Sequence, residues 1–154
     1  MSRAALVFSM VMLPTGIFAQ GATDSTESEV LAVVHRMIEG LNRGDSAMAR
    51  STFHAKARLI SIDLRRPDSS ALRIEESPEA FIRSLGRPRT QVFEEKLTNV
   101  KTMIDGTLAS VWADYTFHSG TTLSHCGVDH FLLVKEAGAW KIIELADTRR
   151  RVGC

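Results

Sequence analysis

The chain has 154 residues, with 19 Lys and Arg against 18 Asp and Glu and a hydrophobic share of 44%. That length suits one domain with a sizeable core. The near-neutral charge balance leaves no electrostatic footprint for nucleic acid or for an anionic membrane surface.

Residues 1–20 read MSRAALVFSMVMLPTGIFAQ. Arg3 is a short basic head, Ala4 to Leu13 form an apolar run interrupted only by Ser9, Pro14 and Gly16 break that run, and Ala19 offers a small residue for cleavage. This is the layout of a secretory signal peptide, and the run is too short to span a bilayer. The expected mature chain starts near Gln20, is secreted or periplasmic, and keeps no membrane segment. Losing Arg3 leaves 18 basic and 18 acidic residues, because the first twenty contain no acid.

Residues 21–26 are small and polar and are expected to form a flexible tail ahead of a domain over 27–154. Thr26 and Glu29 have capping-box spacing. Val30, Val33, Val34, Met37, Ile38 and Leu41 then recur at helical spacing, which predicts an amphipathic helix over 27–43 ended by Gly44. Asp45 or Ser46 starts a short second helix ending near Phe53. ARLISID (57–63) alternates as a strand, RRPDSS (65–70) is a turn-rich loop, and Ser77-Pro78 opens a third helix over 78–85.

From Val92 onward the pattern changes to strands and turns. The run ends at Asp105-Gly106, a two-residue hairpin signal. TLASVWADYTFH (107–118), SHCGVDHFLLVK (124–135) and WKIIELADTRR (140–150) follow as further strands. Helices first and a long antiparallel meander after them give an α+β layout, with the helices the only available cover for one sheet face.

These pieces resemble the nuclear-transport-factor-2-like superfamily, a cone-shaped α+β roll. The resemblance rests on GLNRGD (40–45), FHAKARL (53–59), IDGTLASVWADYTF (104–117) and FLLVKEAGAWKII (131–143), and it covers about 27–154. Within the superfamily the chain is most similar to small exported proteins classed as polyketide-cyclase SnoaL-like or putative lumazine-binding, whose endings resemble SHCGVDHF joined to ADTRRRVGC. The resemblance implies N-terminal helices packed on a curved, mainly antiparallel sheet. Functions across the superfamily run from isomerases, dehydratases and cyclases to transport and assembly domains, so the fold alone does not choose among them.

Enzymes of the superfamily place acid and base groups on strands inside an apolar pocket. Strand parity gives the candidates. If both later hairpin loops keep an even register, Tyr115, His130 and Asp147 are polar points on the apolar, helix-covered face, where they could bind a small apolar ligand or form a hydrogen-bonding and acid–base group. Trp112, Asp114, His125 and Phe131 then belong to a mixed outer face suited to a homodimer interface, with Asp129 beside them. A single bulge reverses the assignment.

His125 and His130 differ by five positions and so point to opposite sides of a strand, which argues against a metal site there. No cofactor is implied. Cys126 and Cys154 are the only cysteines, and an exported chain meets an oxidising compartment, so a disulfide between them is expected. The alternative is a buried free Cys126 and a frayed terminal Cys154. The expected function is an exported small-molecule-binding protein with an apolar pocket inside the cone; the alternatives are an isomerase, dehydratase or cyclase working in the same pocket, and a dimerisation or structural module.

Overall fold

The computed structural model describes residues 18–66 and 71–154, with side chains from residue 25 onward. Most of the expected signal peptide, residues 1–17, lies outside the described residues. Helix α1 spans Phe18–Arg43, so Thr26 sits within it rather than at its N-cap, and residues 21–26 are helical where a tail is expected. Val30, Val34, Met37, Ile38 and Leu41 of α1 are buried, as their spacing predicts. Gly44 ends the helix in the left-handed region (φ 69°), a conformation that glycine adopts without penalty. Asp45 caps α2 (Ser46–Arg50) by accepting a hydrogen bond from the Met48 amide at 2.8 Å.

Strand β1 (Phe53–Asp63) is longer than predicted, and a short β2 (Leu72–Glu75) follows it. Helix α3 (Glu79–Leu85) precedes the meander of β3 (Phe93–Asp105), β4 (Leu108–Ser119), β5 (Thr122–Glu136) and β6 (Ala139–Arg149). The six strands form one sheet in the order β2-β1-β6-β5-β4-β3. β1 and β6 pair in parallel and every other pair is antiparallel. The first hairpin turns on Gly106-Thr107, one residue later than the Asp105-Gly106 signal suggests, because Asp105 already pairs with Leu108.

Helix α1 lies against one sheet face. Val30, Val34 and Met37 pack with Val111, Phe131, Leu133 and Ile142 in the main core. Full burial of such side chains contributes about 1.5–3 kcal/mol each, which holds the helical cover on the sheet. A smaller cluster of Leu41, Ala49 and Leu85 joins the three helices.

Besides an irregularity between Phe53 and Arg58 where β1 meets β6, one shift in each of β3, β5 and β6 decides which residues face the helices. In β3, Asn99 and Val100 form a bulge with Asn99 at φ 50°, so Leu97 and Glu95 pair with Tyr115 and Phe117. In β5 one extra residue at Ser124 separates the His118–Leu123 pair from Phe117–His125. In β6 a shift at Ile143 separates Leu133–Ile142 from Leu132–Glu144. Each moves the residues beyond it by one position and therefore to the other face.

Candidate functional site

Beyond the apolar core, the same covered face opens into a cavity of about 660 Å³. Met37, Leu41, Phe81 and Leu85 bound it from the helices, and Leu59, Ser61, Asp63, Glu95, Tyr115, Phe117, His125, Asp129, Leu145, Asp147 and Arg149 bound it from the strands. All of these strand residues carry odd numbers, because the three bulges and the β1–β6 irregularity together bring odd positions of every long strand to one side. An apolar wall with convergent polar groups is the usual make-up of a ligand site.

Glu95 and Asp129 are the buried acids of this wall. Glu95 is held at its backbone by α1: its amide donates to Asn42 Oδ1 at 2.7 Å and its carbonyl accepts from Asn42 Nδ2 at 3.0 Å. Its carboxyl is hydrogen-bonded to that of Asp129. Burial, followed by the negative charge of Asp147, pushes the Glu95 carboxyl up to about 7, with Arg149 pulling the other way. Burial and the charges of Glu95 and Asp147 hold Asp129 well above the usual carboxylate range. Two close carboxyls in a desolvated place cannot both ionise, so near neutral pH the pair holds one shared proton.

Asp147 faces Asp129 directly across the β5–β6 ladder. It accepts a hydrogen bond from Ser61 Oγ of β1, and Arg149 Nε donates to its other oxygen at 2.6 Å. The Tyr115 hydroxyl donates to the Thr148 carbonyl at 2.9 Å, and burial first, then Asp147, raises its pKa, so the phenol stays neutral. Gly127 makes this arrangement possible. A Cβ there would lie 1.7 Å from the Thr148 carbonyl oxygen and 2.8 Å from the Tyr115 ring. His125 stacks on Phe117 with ring centroids 4.9 Å apart and meets the Tyr115 ring edge-on at 5.6 Å. Burial, then the charges of Arg149 and Arg65, push its imidazole down to about 4, so it is neutral at physiological pH.

The structure brings Tyr115 and Asp147 to the cavity wall, but not His130. The Ser124 bulge turns His130 to the outer face, where its Nε2 lies 2.9 Å from Ser110 Oγ and its ring 6.0 Å from that of Trp112. The same shift turns His125 and Asp129 inward, against the outward placement expected for both. Phe131, expected at an interface, is fully buried in the core. Trp112 and Asp114 do lie on the outer face; Trp112 is half exposed and Asp114 accepts a hydrogen bond from Asn99 Nδ2 at 2.8 Å.

Glu95, Ser61, Asp63, Arg65 and Arg149 are not legible as site residues from parity counted along the last strands. One signal was available: Phe93, Glu95 and Leu97 share parity, as do Asp129, Phe131 and Leu133, and a lone acid on an apolar parity marks a buried carboxyl. Cys126 and Cys154 form a disulfide with Cα atoms 5.5 Å apart. Cys126 and Arg150 exchange backbone hydrogen bonds of 3.0 and 2.8 Å, and Gly153 at φ 74° turns the tail back. Among the described residues, no group of three or more His, Cys, Asp and Glu side chains is placed to hold a metal ion, and no helix is long and apolar enough to cross a membrane.

A family model described as "Putative lumazine-binding" matches residues 25–145. Among solved structures, an NTF2-like protein of unknown function from Shewanella baltica shares 16% identity with a TM-score of 0.61, covering 83% of this chain and 96% of that one. A protein described as a putative dehydratase of the NTF2-like family from Streptomyces avermitilis shares 16% identity with a TM-score of 0.64, covering 84% of this chain and 99% of that one. An NTF2-like protein with a cystatin-like fold from Novosphingobium aromaticivorans shares 10% identity with a TM-score of 0.66, covering 88% and 89%. At such identities these structures speak to the fold alone. No curated protein matches the chain.

Proposed function

Because the chain belongs to the Putative lumazine-binding family, within the NTF2-like superfamily, we propose that its cavity binds a small organic molecule and exchanges a proton with it. The observation that carries this reading is the buried Glu95–Asp129 pair facing the cavity. Burying two acids side by side is costly, and an apolar binding pocket has no need of them. In the pair, the ionised oxygen accepts a proton from the ligand while the protonated partner donates to a neighbouring ligand oxygen or nitrogen. The Glu95 pKa of about 7 suits a base that must be regenerated at neutral pH. Phe117, His125 and Leu145 offer flat and apolar surface for the rest of the molecule. This is the chemistry of an isomerase or dehydratase.

The family description supports a second reading, binding without turnover, in which the same pair holds the N–H and C=O edge of a lumazine-like ring. Titration with lumazine, together with native mass spectrometry of protein from its natural source, tests the binding step shared by both readings. Transfer of the occupied protein into D2O then separates them. Deuterium entering a carbon position of the ligand in wild type, and not in Asp129→Asn, supports turnover. An occupied cavity with no such exchange leaves the binding reading, and an empty one that rejects lumazine refutes both.

The disulfide supports an exported location, in keeping with the pattern of residues 1–20. The outer sheet face, with Trp112, Leu72 and Ile74 exposed, supports a homodimer.

A further inference from the structure

Beside the Glu95–Asp129 pair, the C-terminal ends of β1 and β6 present a different chemistry on the same cavity wall. Arg149 and Arg65 are both cavity residues, and both are braced in the same way. Arg149 commits Nε to Asp147 at 2.6 Å and Nη2 to Asp147 and Ser61 at 3.4 and 3.3 Å. Arg65 commits Nε and Nη2 to the two oxygens of Asp63 at 2.6 and 2.7 Å. Asp63 is in turn the strand partner of Arg149, which brings the two carboxylate-braced arginines to the same end of the sheet. Neither Nη1 has a partner among the described residues, and His125 lines the same wall.

A guanidinium locked on its Nε side by a carboxylate has already lost its rotamer freedom, and it keeps two donors in a fixed plane. Two such groups together give a preorganised cradle for a planar, charged oxygen pair. We propose, building on the proton-exchange reading above, that the molecule taken by this cavity is an organic carboxylate. Its anionic group sits at Arg65 and Arg149, and its body extends toward Glu95 and Asp129. Arg149 and Arg65 thus act as specificity residues, holding the charged end so that the far end meets the carboxyl pair. The aspartates behind them fix the arginines and limit the net positive charge of the wall, which favours a monoanion over a more highly charged group.

Isothermal titration with 2-naphthoate and with 2-naphthamide tests this, since the two probes share shape and differ in charge. Wild type is expected to prefer the carboxylate by about tenfold or more, as expected when charge-assisted hydrogen bonds are lost. Arg149→Gln and, nearer the mouth, Arg65→Gln should each reduce that preference, weakening the carboxylate by more than the amide. The mouth variant keeps the test valid if Arg149→Gln does not fold. Equal affinity of wild type for the two probes overturns the carboxylate assignment and leaves the cavity reading intact. Saturable binding of neither probe overturns both.

Discussion

Glu95→Gln offers the sharpest test of the carboxyl pair, because it removes one ionisation while keeping size and hydrogen-bonding capacity. The Glu95 carboxyl has an ordinary value of 4.5 and is pushed up to about 7 in the folded chain, with burial as the main cause. The folded state therefore binds this proton more tightly than the unfolded state does. Between pH 4.5 and about 7 the native state holds this proton more than the unfolded state does, so the contribution of Glu95 to stability falls as pH rises through that window and is constant outside it. The interval corresponds to about 3 kcal/mol at about 1.4 kcal/mol per pH unit, lost in full above about pH 7. An amide at this position cannot ionise, so the variant escapes this loss. Urea unfolding of both proteins at about pH 5 and about pH 8, with the disulfide intact, should show the variant gaining about 3 kcal/mol relative to wild type at the higher pH. A wild-type-to-variant difference that is the same at both pH values would refute the reasoning. So would a side-chain carbon-13 titration of Glu95 with its midpoint at the ordinary 4.5.

Gly127→Ala should cost about 1–3 kcal/mol, because the new methyl must displace the Thr148 carbonyl 1.7 Å away or the Tyr115 ring. An unchanged denaturation midpoint would show that β5 and β6 are not held as close as described. Cys154→Ser opens a loop with a sequence separation of 28, which in the chain-entropy account lowers stability by about 3.5 kcal/mol. Reduction of the wild type should bring it to the same stability, and chemical denaturation with and without reductant checks this.

The fold was legible where sequence pattern and burial coincide. The apolar spacing of α1 and the alternation in the last four strands, with turns near Gly106 and Gly138, specify helices packed on a meander, and the structure has that arrangement. Strand β2 was not legible, since Leu72 and Ile74 are exposed and its four residues carry no core face. The site was legible only in part, for a geometric reason. Parity counting from a hairpin assumes that no residue is spare, and a bulge leaves no clear mark in a sequence. One spare residue at Ser124 was enough to exchange His130 for Asp129 at the cavity wall. Asp147 reached the expected face only because the shift at Ile143 cancels that one. Glu95 needed the Asn99–Val100 bulge and could be reached only by noticing an acid among Phe93 and Leu97.

The bulges also bear on how such a cavity can diverge. Because a spare residue, rather than the lining side chains, decides which parity faces inward, a paired insertion and deletion along one strand would swap that strand's whole share of the lining. Glu94 stands next to Glu95, His130 next to Asp129 and Thr148 next to Asp147, so each strand already carries a second set of polar groups on its reverse side. Such changes in β5 and β6 could thus replace the Asp129 and Asp147 carboxyls with an imidazole and a hydroxyl without one substitution at any cavity position. For this scaffold, alignment gaps inside strands are as informative about chemistry as the aligned residues themselves.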